Sequence, residues 1–416
     1  MFTLQHTATW VITALATAGV IFRPWKVPEA IWAVVGAVAL VLLGCLPLTV
    51  ALGAVARGTD VYLFLAGMML LAELARGEGL FESLAALAVR LANGSASRLF
   101  LLVYGIGTVV TVFMSNDATA VVLTPAVYAV AKKAGAKPLP YLFACALVAN
   151  AASFVLPISN PANLVVFGSQ PPPLLGWLRQ FALPSVLSIV TTFAVLRWIF
   201  RAPLGGVVEA GGPTVSLSRT GKVTAWGIVG VAGVLLVASS LHLQLGLPAL
   251  LATAGVAAVV CLLKQQWPWS VLGHVSWSVL LLVAGLFVLV QGIESTGVTA
   301  ELARLLHSAA ASSPSQAAMG AGLLVAVACN LVNNLPAGLL AGAVLSAAAA
   351  TPLAQGAVMI GIDLGPNLSV AGSLATMLWL IAIRREGEDV GAWQFLKIGA
   401  IAMPTALIPA LAALFI

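Results

Sequence analysis

Three side chains in a row, Ser115, Asn116 and Asp117, interrupt the apolar stretch VFMSNDATAVVLTP (112–125). Their types suit hydrogen bonding and proton exchange: Asn offers a carbonyl and an NH2, Ser a hydroxyl, and a carboxyl can load and unload a proton. A second cluster, CNLVNNLPAG (329–338), places Asn330, Asn333 and Asn334 beside Cys329. Two further segments combine polar residues with helix breakers. SFVLPISNPANLVVFG holds Pro157 and Pro161 with Ser159, Asn160 and Asn163, and GIDLGPNLSVAG holds Gly365 and Pro366 with Asp363, Asn367 and Ser369. Proline removes an amide donor and clashes with the preceding turn, so each helix is expected to break there. A break frees backbone groups and turns half-helix ends toward a ligand.

These motifs sit in a chain of 416 residues that is 61% hydrophobic and 8% charged, with a mean hydropathy of +1.08. Apolar stretches such as Ala30–Leu43, Val223–Ser239 and Ile398–Ile416 recur from end to end, so the chain reads as an all-α polytopic membrane protein. Barrel strands would alternate in polarity, and these segments do not. Thr7–Phe22 lacks a basic flank before it and reads as a retained helix, not a leader. The excess of 19 Lys and Arg over 13 Asp and Glu fits basic cytoplasmic loops; no basic–aromatic patch points to nucleic acid. Cys45, Cys145, Cys261 and Cys329 are scattered through apolar runs without a CxxC pair, which argues against a disulfide framework or a metal site. SRTGKVT lacks the first glycine of a nucleotide-binding loop, and His6, His242, His274 and His307 lie away from every motif. Neither a nucleotide hydrolase nor another enzyme is indicated, and no cofactor is implied.

The chain also repeats itself. LFLAGMMLLAELARGEGLFESLAALAVRL (63–91) resembles LLVAGLFVLVQGIESTGVTAELARLL (281–306), and an offset of 218 carries Gly67 onto Gly285 and Asn116 onto Asn334 (334 − 116 = 218). Arg98, Lys132, Lys133 and Lys137 flank the first polar motif, while the flanks of the second carry no charge. The positive-inside rule then sets the two motifs facing opposite sides, as in inverted repeats. The expected organisation is a first repeat over 1–200, a cytoplasmic linker over 201–222 containing GGPT, and a second repeat over 223–416. Both termini then lie outside the cytoplasm. The apolar arms around each motif look short for spans, so each motif is expected at the tip of a re-entrant helical hairpin, near 115–117 and 330–334. Broken helices near 157–163 and 363–367 complete about ten spans plus two hairpins. Glu82, Glu301 and Arg304 belong to amphipathic stretches expected along the membrane surface.

Two tips and two breaks define a pocket of Ser, Asn and Asp without Lys or Arg, suited to a small, neutral, hydroxylated solute. Its motifs, SNDATAVVLTP, VNNLPAGLLAGAVLS and above all GIDLGPNLSVAGSLATMLWL, resemble those of the ArsB-type arsenite efflux permeases of the ion-transporter superfamily, in order and spacing over nearly the whole chain. The resemblance implies export of arsenite and antimonite across a bacterial inner membrane in exchange for protons, with optional association of a cytoplasmic arsenical ATPase. The chain departs from it at Asn150, where such relatives carry an acid, and at the first Asn-Pro pair; that variant resembles silicic-acid exporters.

Arsenite at neutral pH is mostly uncharged As(OH)3, which matches the pocket. Ser115, Asn116, Asn160, Asn163, Asn330, Asn333, Asn334 and Asn367 are the candidate solute ligands. Asp117 and Asp363 are the candidate proton carriers, Asp363 being expected to meet amides freed by Gly365 and Pro366. Cys329 could offer a thiolate, but tight ligation suits an exporter poorly and a buried Cys is commonly a small hydrophobe. A sodium-coupled carboxylate transporter is the main rival, and it would need anion-binding threonines at the tips.

Overall fold

The computed structural model describes residues 4–168, 171–209, 216–267 and 269–416. They are helical throughout apart from turns and one antiparallel bridge between Ser95 and Val207. Among them, seven helices are long and apolar enough to cross a membrane, or eight if Leu48–Arg57 and Thr59–Gly77, bent by 47°, are taken as one span. Large apolar side chains face outward on these helices, such as Val229, Val234 and Val237 on Arg219–Ser240, as a hydrocarbon solvent requires.

Hairpin geometry follows from hydrogen bonds at tip and base. Ala96–Phe113 starts on Ser95, whose side chain accepts from Arg98 N, and ends before the extended Ser115. The chain then folds back through Asn116–Ala118, a wide turn at Thr119–Leu123 and Thr124–Lys133. Near the tip the buried hydroxyls of Thr111 and Thr119 join the arms at 2.8 Å. At the base, Val208 N donates to Gly94 O and Glu209 N to Ala134 O. One short strand of linker therefore touches both the beginning and the end of the hairpin, and the chain enters and leaves on one face. The arms are longer than the sequence suggests: Ala96–Phe113 has 18 residues and its counterpart Pro314–Val332 has 19. Each is long and apolar enough to cross a membrane; the shared base shows that the two arms of the first run antiparallel side by side. In the second, Asn333 adopts φ 75° and ψ 152°, outside the left-handed well, a conformation costly for any residue but glycine, and its side chain accepts from Leu335 N to start Asn334–Ala347. The amphipathic helices Leu80–Ala92 and Val298–Ser312 each pack on both arms of the hairpin that follows them. Arg304 bonds Glu301 at 2.6 Å and holds that carboxyl below its usual range.

Each broken helix is interrupted for nine residues, 152–160 between Leu139–Ala151 and Pro161–Phe167, and 365–373 between Pro352–Leu364 and Leu374–Arg385. The first helix ends at Ala151, ahead of Pro157, which instead opens a 3-10 turn; Pro161 starts the second piece. Pro366 lies in the turn Gly365–Leu368, and a Cβ at Gly365 would stand 2.4 Å from the Ala326 carbonyl oxygen. The linker is also shorter than expected, because Arg219–Ser240 begins at Arg219 on a Ser218 cap. Its GGPT segment lies outside the described residues.

Around this centre the repeated segments cross over. Thr59–Gly77 packs on Gly246–Lys264, and Ser278–Ser295 packs on Glu29–Leu42. At the crossings a Cβ on Gly67 would lie 2.8 Å from the backbone of Ala249, and one on Gly285 2.8 Å from that of Ala33. Only glycine lets the backbones approach so closely.

Candidate functional site

Both hairpin tips and both breaks meet at a cavity of about 20 Å³, lined by Asn116, Asp117, Asn160, Pro161, Asn334 and Leu374 among others. That is room for about one water. It adjoins a second cavity of about 100 Å³ that shares Leu65, Asp117, Pro161 and Leu374 with it and adds Ser115, Glu73 and His274. Neither cavity is lined by Lys or Arg. On the other side lies a vestibule of about 730 Å³ with Arg57, Asp60, Gln244 and Glu294 in its wall. Val61, Leu164 and Leu339 line the vestibule where Leu65, Pro161 and Leu335 line the central cavity. A single turn of three helices thus separates the two.

The cavity residues differ in what they have left to offer. Ser115 caps the return arm by accepting from Ala118 N at 3.3 Å. Asn116 is buried and its Oδ1 has no protein partner. Asn160 caps Pro161–Phe167 through Ala162 N at 3.0 Å, and its NH2 donates to Asp363 Oδ1 at 2.7 Å. The backbone amides expected to hold Asp363 do not; it ends a continuous helix, and its other oxygen, Oδ2, has no partner.

Four of the candidate amides are committed elsewhere. Asn163 donates to Ser153 O at 2.9 Å and Leu156 O at 3.2 Å, tying the first break together, while its Oδ1 is buried without a partner and away from both cavities. Asn330 donates to Ala326 O and Gly365 O, at 2.8 and 2.9 Å, and accepts from Ser369 at 2.7 Å. Asn333 donates to Ala371 O at 3.2 Å. Asn367 is fully buried, donates to Leu147 O at 3.1 Å and accepts from Asn150 at 3.0 Å. None of the four lines the central cavity or its neighbour. Asn163, Asn330 and Asn333 satisfy carbonyls in the breaks, at Ser153, Leu156, Gly365 and Ala371, and Asn330 and Asn367 also tie the second break to the helix carbonyls of Ala326 and Leu147. Cys329 is likewise buried away from the cavities, its thiol 3.9 Å from Ile362 O.

The two breaks answer each other. Asn160 donates to Asp363, and Ser373 donates to Asn150 Oδ1 at 3.4 Å. One offset relates both members (363 − 150 = 213 and 373 − 160 = 213), so the residue capping each second piece reaches the end of the first piece in the other half. Three participants were not marked by sequence as site residues. Asn150 stood out in the sequence as a departure from the acid expected there, without a role in the site. Glu73 and His274 reach the cavity through packing of distant segments, which no local pattern reveals.

Known proteins resemble this chain over most of its length. The sequence pattern of the CitMHS family, described as "Citrate transporter", matches residues 10–383. An arsenical pump membrane protein of Escherichia coli strain K12 is 28% identical over 360 residues, covering 81% of each chain. That of Yersinia enterocolitica is 28% identical over 353 residues, again 81% of each. An uncharacterized transporter of Mycobacterium tuberculosis is 25% identical over 370 residues, 84% of each. Among solved structures, the YdaH transporter of Alcanivorax borkumensis superposes with a TM-score of 0.53 at 16% identity, covering 88% of this chain and 86% of its own. MtrF of Neisseria gonorrhoeae superposes at 0.52 and 13%, covering 100% and 95%. These two share the fold. Multi-pass architecture and relatives together make the chain a membrane transporter of the ArsB/CitMHS kind, and it belongs to the CitMHS family.

Proposed function

We propose that the chain exports arsenite, and antimonite, across the bacterial inner membrane in exchange for protons. One observation carries this reading: the central cavity presents Asn116, Asn160 and Asn334 with a carboxyl, Asp117, and no cation. Citrate, the solute in the family description, would bring several negative charges to a wall that offers none to balance them. As(OH)3 is neutral, and the carbonyl and NH2 of each Asn can meet its hydroxyls. The cavity of about 20 Å³ is too tight for it, so binding requires the adjoining space or a movement of the breaks. Silicic acid, equally neutral and hydroxylated, is the second reading that the same wall favours.

Uphill export of a neutral solute needs a driving current. Each entering proton supplies about 2.3 kcal/mol per 100 mV, about a 50-fold gradient. Asp117 faces both smaller cavities and is the acid that meets the solute directly; proton and solute competing there suffices for exchange. In this reading the halves 1–200 and 223–416 are inverted, the linker is cytoplasmic, both termini are extracytoplasmic, and a cytoplasmic arsenical ATPase is an optional partner. The reciprocal contacts of the two breaks support the duplication. The test is arsenite resistance in a sensitive bacterium expressing the chain, followed by uptake into everted vesicles under a proton or a sodium gradient. Citrate uptake without arsenite movement would replace this reading with a carboxylate transporter.

A further inference from the structure

Asp363 is wholly buried and lines neither the central cavity nor its neighbours, yet Asn160 lines the cavity and holds Asp363 at 2.7 Å. Asp363 Oδ1 is thereby occupied, while Oδ2 is buried without a partner. The groups facing Asp363 are Asn160, Ser153 in the first break, and the Cys329 thiol on the outer arm of the second hairpin. None of the five ion pairs among the described residues reaches it. A carboxyl so placed has no counter-ion to fix its charge, and its bare oxygen is where a proton can land.

We propose that Asp363 is a second coupling group that acts on the solute through Asn160, and that Asn150 is its counterpart in the other half, with Ser373 in the place of Asn160. The inference rests on the transport reading above and extends it to an acid that does not touch the solute. In the ionised form, the carboxylate holds the Asn160 NH2 by a charge-assisted bond, about twice as strong as a neutral one. That bond fixes the amide that the cavity presents, with its oxygen on Ala162 N. A proton arriving on Oδ2 takes the charge from −1 to 0, weakens the bond and frees the amide. Proton and solute then favour different settings of one side chain, which is competition without a shared site. On the other side of the crossing the same wiring exists in neutral form: Ser373 donates to Asn150, an amide where its counterpart is an acid. The chain therefore carries one switch at a crossing built for two, and moving the carboxyl from 363 to 150 should move the switch.

The decisive measurement is the half-saturating arsenite concentration in everted vesicles from about pH 6 to about pH 8, for the native chain, Asp363→Asn and the Asn150→Asp/Asp363→Asn double variant. The native value should rise at least about threefold toward the acid end; Asp363→Asn should reduce that rise to the part Asp117 supplies, and the double variant should restore it. A native slope in Asp363→Asn reduces Asp363 to a structural bond. A correctly inserted double variant that keeps the reduced slope of Asp363→Asn overturns the equivalence of the two positions. Infrared difference spectra of the purified chain on a pH step need no arsenite. Asp363→Asn should remove a carboxylic-acid band that Asn160→Ala shifts, and an unshifted band breaks the link through Asn160 even if the transported solute proves to be another.

Discussion

Asn116 and Asn334, one at the tip of each hairpin and 218 residues apart (334 − 116 = 218), line the same central cavity. Asn116 keeps a carbonyl oxygen with no protein partner, so a buried acceptor waits on whatever fills the space. Truncating either removes a donor and an acceptor from the wall. Asn116→Ala and Asn334→Ala are each expected to lower arsenite export at least about tenfold while the protein still inserts. Near-native vesicle uptake by both variants would move the solute site elsewhere.

Asp117 borders both smaller cavities. Asp117→Asn preserves shape and hydrogen bonding but cannot titrate. It should still bind arsenite, measured by protection or counterflow, and should lose accumulation against a gradient in everted vesicles. Undiminished uphill transport would make Asp117 only a first-turn acid of the return arm that Ser115 caps, and leave coupling to Asp363.

Cys329 packs against Ile362 O, away from the cavity. Cys329→Ala should therefore keep most of the resistance that expression confers. Complete loss in that variant would argue for thiol ligation of As(III) and against a hydrogen-bonding site.

Thr111 and Thr119 share one hydrogen bond in the interior of the first hairpin. Thr119→Val strands the Thr111 hydroxyl and should cost about 1–3 kcal/mol, Thr111→Val leaves Thr119 its bond to Gly107 O at 3.4 Å and should cost less, and replacing both should cost less than the sum. Thermal unfolding in detergent reads the cycle, and strict additivity would show the bond to be incidental.

A cysteine placed at Ala136, just beyond the base of the first hairpin, should label from the cytoplasm. One placed at Ser313, which caps the outer arm of the second, should label from outside. Both reacting from one side would remove the inverted arrangement.

The four polar motifs and their helical setting were legible because polar residues are so costly in hydrocarbon that they stand out. What each amide does was less legible. Asn163 and Asn330 satisfy carbonyls of the breaks, Asn367 ties the second break to Leu147 O, and Asn116 faces a cavity, but all these duties call for the same residue type. Sequence marks the demand for a hydrogen bond, not which group supplies it. Asp363 was misread for the same reason, since its partner is Asn160, 203 residues away, and not the adjacent turn. His274 and Glu73 gave no signal because a cavity wall assembled from separate helices has no local pattern.

The crossings at Gly67 and Gly285 bear on how the protein is made. Thr59–Gly77 packs most extensively on Gly246–Lys264, and Glu29–Leu42, besides its contact with Leu4–Phe22, packs most extensively on Ser278–Ser295. The first half thus leaves the ribosome with two grooves cut for helices that do not yet exist. Until synthesis is well into the second half, lipid or an insertion factor must occupy those grooves, and neither half can reach its final packing as a separate product. The two parts of the chain form an interlaced pair whose assembly waits on the end of translation.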